Sequence, residues 1–169
     1  MADYEGDLTP LEAWELLENH EDAVLVDVRT PQEWAETGIP DASQLRRPVV
    51  LDPLLPDPEA ARELLAGLVA AGLTPGGDRP VLFVCRGGSR SARAAAIATA
   101  VGLTPAYNVA GGIEGPGGWR ESGLPLAEWD GASIGTIAPA SSPSGWTGAT
   151  NDDPDQGSQE RPDADEAGA

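Results

Sequence analysis

The one cysteine of the sequence, Cys85, closes the apolar run Val81 to Val84 and opens the stretch Cys85-Arg86-Gly87-Gly88-Ser89-Arg90-Ser91. A strand that ends in glycines and leads into a helix aims several backbone N–H groups at one point, where the helix dipole adds partial positive charge. Such a point attracts anions, and a thiol delivered to it is driven toward thiolate, its nucleophilic form. Lowering a thiol by about two units from roughly 8.5 raises its thiolate share at neutral pH from a few per cent to about three quarters. This activation needs no histidine base, and the single histidine, His20, precedes the first predicted strand with nothing to place it near the loop. Three of the ten basic residues, Arg86, Arg90 and Arg93, fall within eight residues of Cys85. Arg86 and Arg90 can fork onto a sulfonate or phosphate, whereas Arg93, one helical turn on, reads as solvated or structurally paired. Ser89 and Ser91 can cap the helix or hydrogen-bond a bound sulfur. Most lone cysteines at strand ends are small buried hydrophobes, but that role explains neither the paired glycines nor the flanking arginines.

These residues need elements to hold them. Thr9-Pro10-Leu11-Glu12 and Thr30-Pro31-Gln32-Glu33 each supply an N-cap hydroxyl, a proline at the first helical position and a glutamate that reaches back to the cap. Asp57-Pro58-Glu59 is a weaker version, predicting a helix over 60–71 with Leu64, Leu65 and Leu68 on one face and Gly72 as its stop. The cysteine loop opens a fourth helix over about 91–101. Apolar runs at 23–28, 49–51, 81–84 and around 107–109 read as strands buried on both faces. Strand and helix patterns alternate, which predicts an α/β fold with a parallel sheet flanked by helices. Beyond Trp129 the sequence turns poor in aliphatics and rich in Gly, Ser, Pro and Asp. The expected organisation is one domain over 1–130 and a disordered acidic tail over 131–169. Trp146 is the one feature of that tail a purely inert spacer leaves unexplained; a stray aromatic in a solvated spacer is the favoured reading, and a short docking motif is the alternative.

Charge and composition bound the partners. With 28 acidic residues against ten basic ones the formal charge is −18, a field that repels nucleic acid and anionic membrane surfaces. All ten cations are arginine, which reads as a composition bias of the source genome. The acidic start lacks the basic and apolar regions of a signal peptide, and no apolar stretch reaches the eighteen or so residues of a membrane span, so a soluble, cytoplasmic protein is expected. One cysteine excludes an internal disulfide, and one distant histidine leaves no zinc-ligand spacing. No metal or cofactor is expected, and the sequence sets no oligomeric state.

Four segments, LVDVRTPQEW (25–34), IPDA (39–42), VLFVCRGGSRSARAA (81–95) and YNVAGGIEGPGGW (107–119), resemble in order and spacing the single-domain rhodaneses, a family of thiosulfate or persulfide sulfurtransferases. The resemblance spans about residues 8–127. It implies a rhodanese-like fold in which Cys85 sits at a strand end within a six-residue loop and is the catalytic residue. Cys85 would take a sulfane sulfur from thiosulfate or a persulfide and pass it to a thiol, cyanide or an acceptor protein. With no second cysteine to resolve the persulfide, the reaction would be ping-pong with an external acceptor. By the same resemblance Arg86, Gly87, Gly88, Ser89 and Arg90 bind the donor and cradle the transferred sulfur.

Asp27, Ser91, Gly111 and Gly112 become candidate neighbours of the site. Asp27 and Arg29 form the family's Asp-x-Arg signature, for which a structural role is favoured, and Arg29 with Glu33 reads as a local ion pair at the start of the second helix. The Gly111-Gly112 pair would let the chain pass close to the loop, and Trp119 reads as core or pocket wall. The chain departs from the family where Thr37-Gly38-Ile39-Pro40-Asp41-Ala42 lacks the usual histidine, and where Glu114-Gly115-Pro116-Gly117-Gly118 adds residues expected beside the mouth of the site. Two other functions compete: a non-catalytic rhodanese-like binding or regulatory module, in which the cysteine is commonly replaced, and a cysteine-dependent phosphatase, whose loop is one residue longer.

Overall fold

A computed structural model of the chain describes residues 3–140. Its elements run β1 (Gly6–Leu8), α1 (Pro10–Asn19), β2 (Val24–Asp27), α2 (Pro31–Thr37), β3 (Ile39–Pro40), α3 (Ala42–Leu45), β4 (Val49–Leu51), α4 (Ala60–Ala70), β5 (Val81–Val84), α5 (Ser89–Ala100), β6 (Ala106–Val109), β7 (Leu126–Ala127) and β8 (Gly135–Ile137). Six strands form one sheet in the order β1-β6-β5-β2-β4-β8, parallel throughout except for the antiparallel β4–β8 edge. β3 and β7 pair separately as an antiparallel ribbon.

The central strands are apolar on both faces because both faces are covered. Val24, Val26, Val81 and Phe83 pack with Leu64 and Leu68 of α4 and with Ala94, Ala95 and Ala98 of α5. The alternate residues Leu25, Leu82 and Val84 pack with Ala13 and Leu17 of α1, Trp34 of α2 and Leu45 of α3. From β2 the chain moves to β4 on one side, then crosses to β5 on the other. The carboxyl ends of β2 and β5 therefore flank a point where strand order reverses, the usual place for a crevice in an open α/β sheet.

Both capping boxes form: the Thr9 and Thr30 hydroxyls accept the backbone N–H of Glu12 and Glu33, whose side chains accept the cap N–H in return. The third start differs, with Glu59 at the N-cap making no side-chain cap bond, and Asp57 Oδ1 accepting the Glu59 N–H at 2.9 Å. The cysteine-loop helix begins at Ser89, two residues earlier than predicted, because Gly88 has already turned the chain.

The domain boundary expected at 130 is corrected. Residues 135–137 form β8, with Ile137 opposite Val49 and Gly135 opposite Leu51. The link to it is tied down: Trp129 packs edge-on against Trp34 at 5.5 Å between ring centroids, and its Nε1–H donates to Ser133 O at 2.8 Å. The compact unit thus runs to Ala138. A lack of aliphatics predicts disorder for this segment, but a three-residue edge strand needs only backbone pairing and one partly buried Ile137. The expectations for Trp146 and the rest of 141–169 lie outside the described residues. Among the described residues no helix is long and apolar enough to cross a membrane.

Candidate active site

β5 delivers Cys85 to the crevice with only 1% of its surface exposed. The chain then turns at Gly88, whose φ of 114° is one that side chains rarely adopt. Gly88 caps α5 without a side-chain bond, and its own N–H donates to Cys85 Sγ at 3.1 Å. The sulfur thus accepts from a donor at the start of the helix. Burial pushes the thiol up, but the Ser91 hydroxyl and the backbone N–H groups of Ser91, Gly88 and Gly87 outweigh it and leave the thiol below its ordinary value. The mouth above it, about 350 Å³, is lined by Cys85, Arg86, Gly87, Ser89 and Arg90 and by Glu114 and Gly115.

The two loop arginines are not equivalent. Arg90 lays both terminal nitrogens on the Glu33 carboxylate, at 2.8 Å each, so its fork is already filled. That pair holds the carboxyl of Glu33 down at about 2, chiefly through the Arg90 hydrogen bond and against the opposing effect of burial. Arg86 is 66% exposed and among the described residues meets only Glu114, at 3.8 Å, a distance too long for a hydrogen bond. Arg86 is therefore the loop cation with freedom to meet a ligand.

The expected pairing of Arg29 with Glu33 is corrected. Arg29 is fully buried and closes on Asp27, donating Nε and its backbone N–H to Oδ1 at 3.0 Å and Nη2 to Oδ2 at 2.7 Å. Its terminal nitrogens also donate to Thr37 Oγ1 and Gly38 O, each at 2.7 Å. The guanidinium points along α2 to its far end, because the N-terminal end is taken by the capping box and by Arg90. Asp27 thus ends β2 in a buried ion pair, and its charge is still felt at Arg90.

The second glycine pair lies against the loop. A Cβ on Gly112 would collide with Cys85 O and with the Arg86 carbonyl. The chain passes so closely that Ile113 N–H donates to Cys85 O at 2.8 Å and Glu114 N–H to Arg86 O at 2.9 Å. Gly111 lies within 3.5 Å of where a Gly88 Cβ would stand. The added residues after Gly112 bring Glu114 and Gly115 to the mouth, with Arg120 reaching Glu114 at 3.8 Å. Ser89 and Arg93 are exposed, and Trp119 is buried core with its Nε1–H on Pro125 O.

Sequence reasoning missed a polar chain behind the sulfur. Ser91 Oγ stands 3.2 Å from Cys85 Sγ and 2.6 Å from Asn108 Oδ1, and Asn108 Nδ2 donates to Asp7 Oδ1 at 2.9 Å. The only signal was an asparagine inside an otherwise apolar strand. Glu33 was assigned its cap but not its partner Arg90, fifty-seven residues away.

A family model described as a rhodanese-like domain matches residues 9–116. Among curated proteins the chain is similar to a sulfurtransferase of Allochromatium vinosum, 36% identical over 115 residues that cover 68% of this chain and 88% of that one. Among solved structures it is similar to Rv0390 of M. tuberculosis, at 42% identity and a TM-score of 0.62, covering 75% of this chain and 99% of that one. It is also similar to a polysulfide-sulfur transferase homodimer of Wolinella succinogenes, at 29% identity and a TM-score of 0.58, with 76% and 81% covered.

Proposed function

Because this chain belongs to the rhodanese-like domain family, we propose that it is a sulfurtransferase in which Cys85 takes a sulfane sulfur from thiosulfate or a persulfide and passes it to a thiol or cyanide. The observation that carries this reading is the hydrogen bond from the Gly88 N–H to the Cys85 sulfur at the floor of an open mouth. A loop that already donates to one sulfur can donate to a second one bonded to it.

The Cys85 thiolate attacks the outer sulfur of thiosulfate. The S–S bond of the donor breaks, sulfite leaves with the electron pair, and Cys85 carries a persulfide bearing one negative charge. An acceptor thiolate or cyanide then attacks the outer sulfur, and the Cys85 thiolate departs ready for another cycle. Arg86 meets the anionic donor, while Arg90, held by Glu33, fixes the loop and adds positive potential. Glu114 beside Arg86 offsets part of that potential, which leaves room for donors less charged than thiosulfate, and the acceptor can be another protein's thiol. A reactive free thiol suits a reducing compartment, and we place the protein in the cytoplasm.

The test is intact-mass measurement after incubation with thiosulfate and, separately, with a low-molecular-weight persulfide. The expected result is a gain of one sulfur atom, removed by cyanide and absent in Cys85→Ser. No gain from either donor would overturn the reading.

A further inference from the structure

We propose that Asn108, held by Asp7, is a positioning residue that draws the Ser91 hydroxyl proton away from the Cys85 sulfur and so sets how readily that sulfur ionises. The argument is a count of protons. Asp7, as a carboxylate, can only accept, so the Asn108 amide must turn its nitrogen to Asp7 and its oxygen to Ser91. Ser91 is fully buried and Asn108 is 6% exposed, so water does not relieve either one. The hydroxyl of Ser91 has one proton and two claimants, Asn108 Oδ1 at 2.6 Å and Cys85 Sγ at 3.2 Å.

Placed on Asn108, that proton makes a short buried hydrogen bond and leaves a Ser91 lone pair to accept the Cys85 S–H. Placed on the sulfur, it leaves two oxygens 2.6 Å apart with no proton between them. The first arrangement favours the thiol. The thiolate can take the Ser91 proton only if the Asn108 amide turns over, and that requires Asp7 to release its nitrogen. With that proton on Asn108 the backbone N–H groups are what lower the thiol, and the Ser91 hydroxyl adds its share only when it turns to the sulfur. Tyr4, which donates its hydroxyl to the same Asp7 oxygen at 2.9 Å, helps hold the latch. The other charged groups near the sulfur, Arg86, Arg90 and Glu114, act from the mouth, and Asp27 acts through Arg90.

The inference rests on Cys85 being the reacting sulfur, but its test needs no turnover. With one cysteine in the chain, the pH dependence of thiolate absorbance and of alkylation rate reports this sulfur alone. Asp7 lies exposed on the edge strand β1, where substitution leaves the core intact. Asp7→Asn frees the Asn108 amide to turn, and the thiol should titrate about one unit lower, which is about tenfold more thiolate at a pH well below its midpoint. An unchanged or higher midpoint would overturn the proposal. Ser91→Ala should leave the midpoint unchanged or lower it. A rise of about one unit in that variant would mean the hydroxyl had been donating to sulfur, which also overturns it. A midpoint that moves as expected in a protein that transfers no sulfur would count against the proposed function and not against the latch.

Discussion

The charge on a loop residue matters less than what already holds it. Arg90 is pinned by two hydrogen bonds to Glu33, whereas Arg86 stands largely in water. Arg90→Ala should therefore strand the Glu33 carboxylate and loosen the loop, lowering kcat for anionic and neutral donors alike by about tenfold or more. Arg86→Ala should raise KM for thiosulfate no more than about fivefold, since an exposed cation is screened, and leave a neutral donor nearly unaffected. Steady-state kinetics with both donors separates the two outcomes, and the reverse pattern would show the roles exchanged. Glu33 also sets an acid limit. Its carboxyl is held at about 2 against an ordinary value of 4.5, and a carboxyl depressed by folding stabilises the fold above its ordinary value and loses that contribution as pH falls through about 2. Urea melts of Glu33→Gln should show a flatter decline of stability between those values than the wild type.

At the scale of the element, α4 is built around a carboxylate. Asp52, just past β4, is buried, and its Oδ2 has no hydrogen-bond partner among the described residues. It lines a cavity of about 170 Å³ with Gly67 of α4 and Ile134 and Thr136 at the β8 edge. Burial pushes its carboxyl up from 3.8 to about 7. The folded state then keeps a proton that the unfolded state releases, so stability falls as pH rises through that window. Asp52→Asn should flatten this slope and stabilise the protein at alkaline pH by about 1 to 3 kcal/mol, measured by urea melts. Gly67 has no side chain because a Cβ there would overlap the Asp52 carboxylate. Gly67→Ala alone should destabilise despite better helix propensity, yet become stabilising when combined with Asp52→Ala. The edge strand gives a further expectation: a chain ended at Asp130 should melt lower and aggregate more than one ended at Ala138, because losing β8 bares the β4 edge. Equal melting and solubility would show that β8 contributes nothing.

At the scale of the whole molecule, a formal charge of −18 surrounds a site proposed to take an anionic donor. At low ionic strength the field of the chain reaches about 30 Å and repels a dianion before Arg86 can attract it. Raising salt from about 0.01 M to about 0.15 M should therefore increase kcat/KM for thiosulfate and leave a neutral persulfide donor unchanged. A fall with salt would show that local attraction by the loop prevails over the charge of the molecule.

Much was fixed by neighbours in sequence. The strand–loop–helix around Cys85, the two capping boxes and the alternation of apolar runs depend on residues within a few positions of one another, where backbone geometry and cap chemistry act locally. They are legible without coordinates. Close passage of the chain at Gly111-Gly112 was also readable, though only through a resemblance to other proteins. The tertiary structure decided the pairings. Glu33 takes Arg90 and not Arg29, because Arg29 is buried on Asp27 and directed to the far end of α2. Asn108 meets Ser91 and Asp7 because β6 pairs with β1 in the sheet while α5, which carries Ser91, packs over it. A three-residue strand at 135–137 exists because the β4 edge was open to pair with it. A sequence shows which groups can hydrogen-bond or pair, but a buried charge or amide takes whichever partner folding brings within about 3 Å, and that distance is set by packing of elements far apart in the chain.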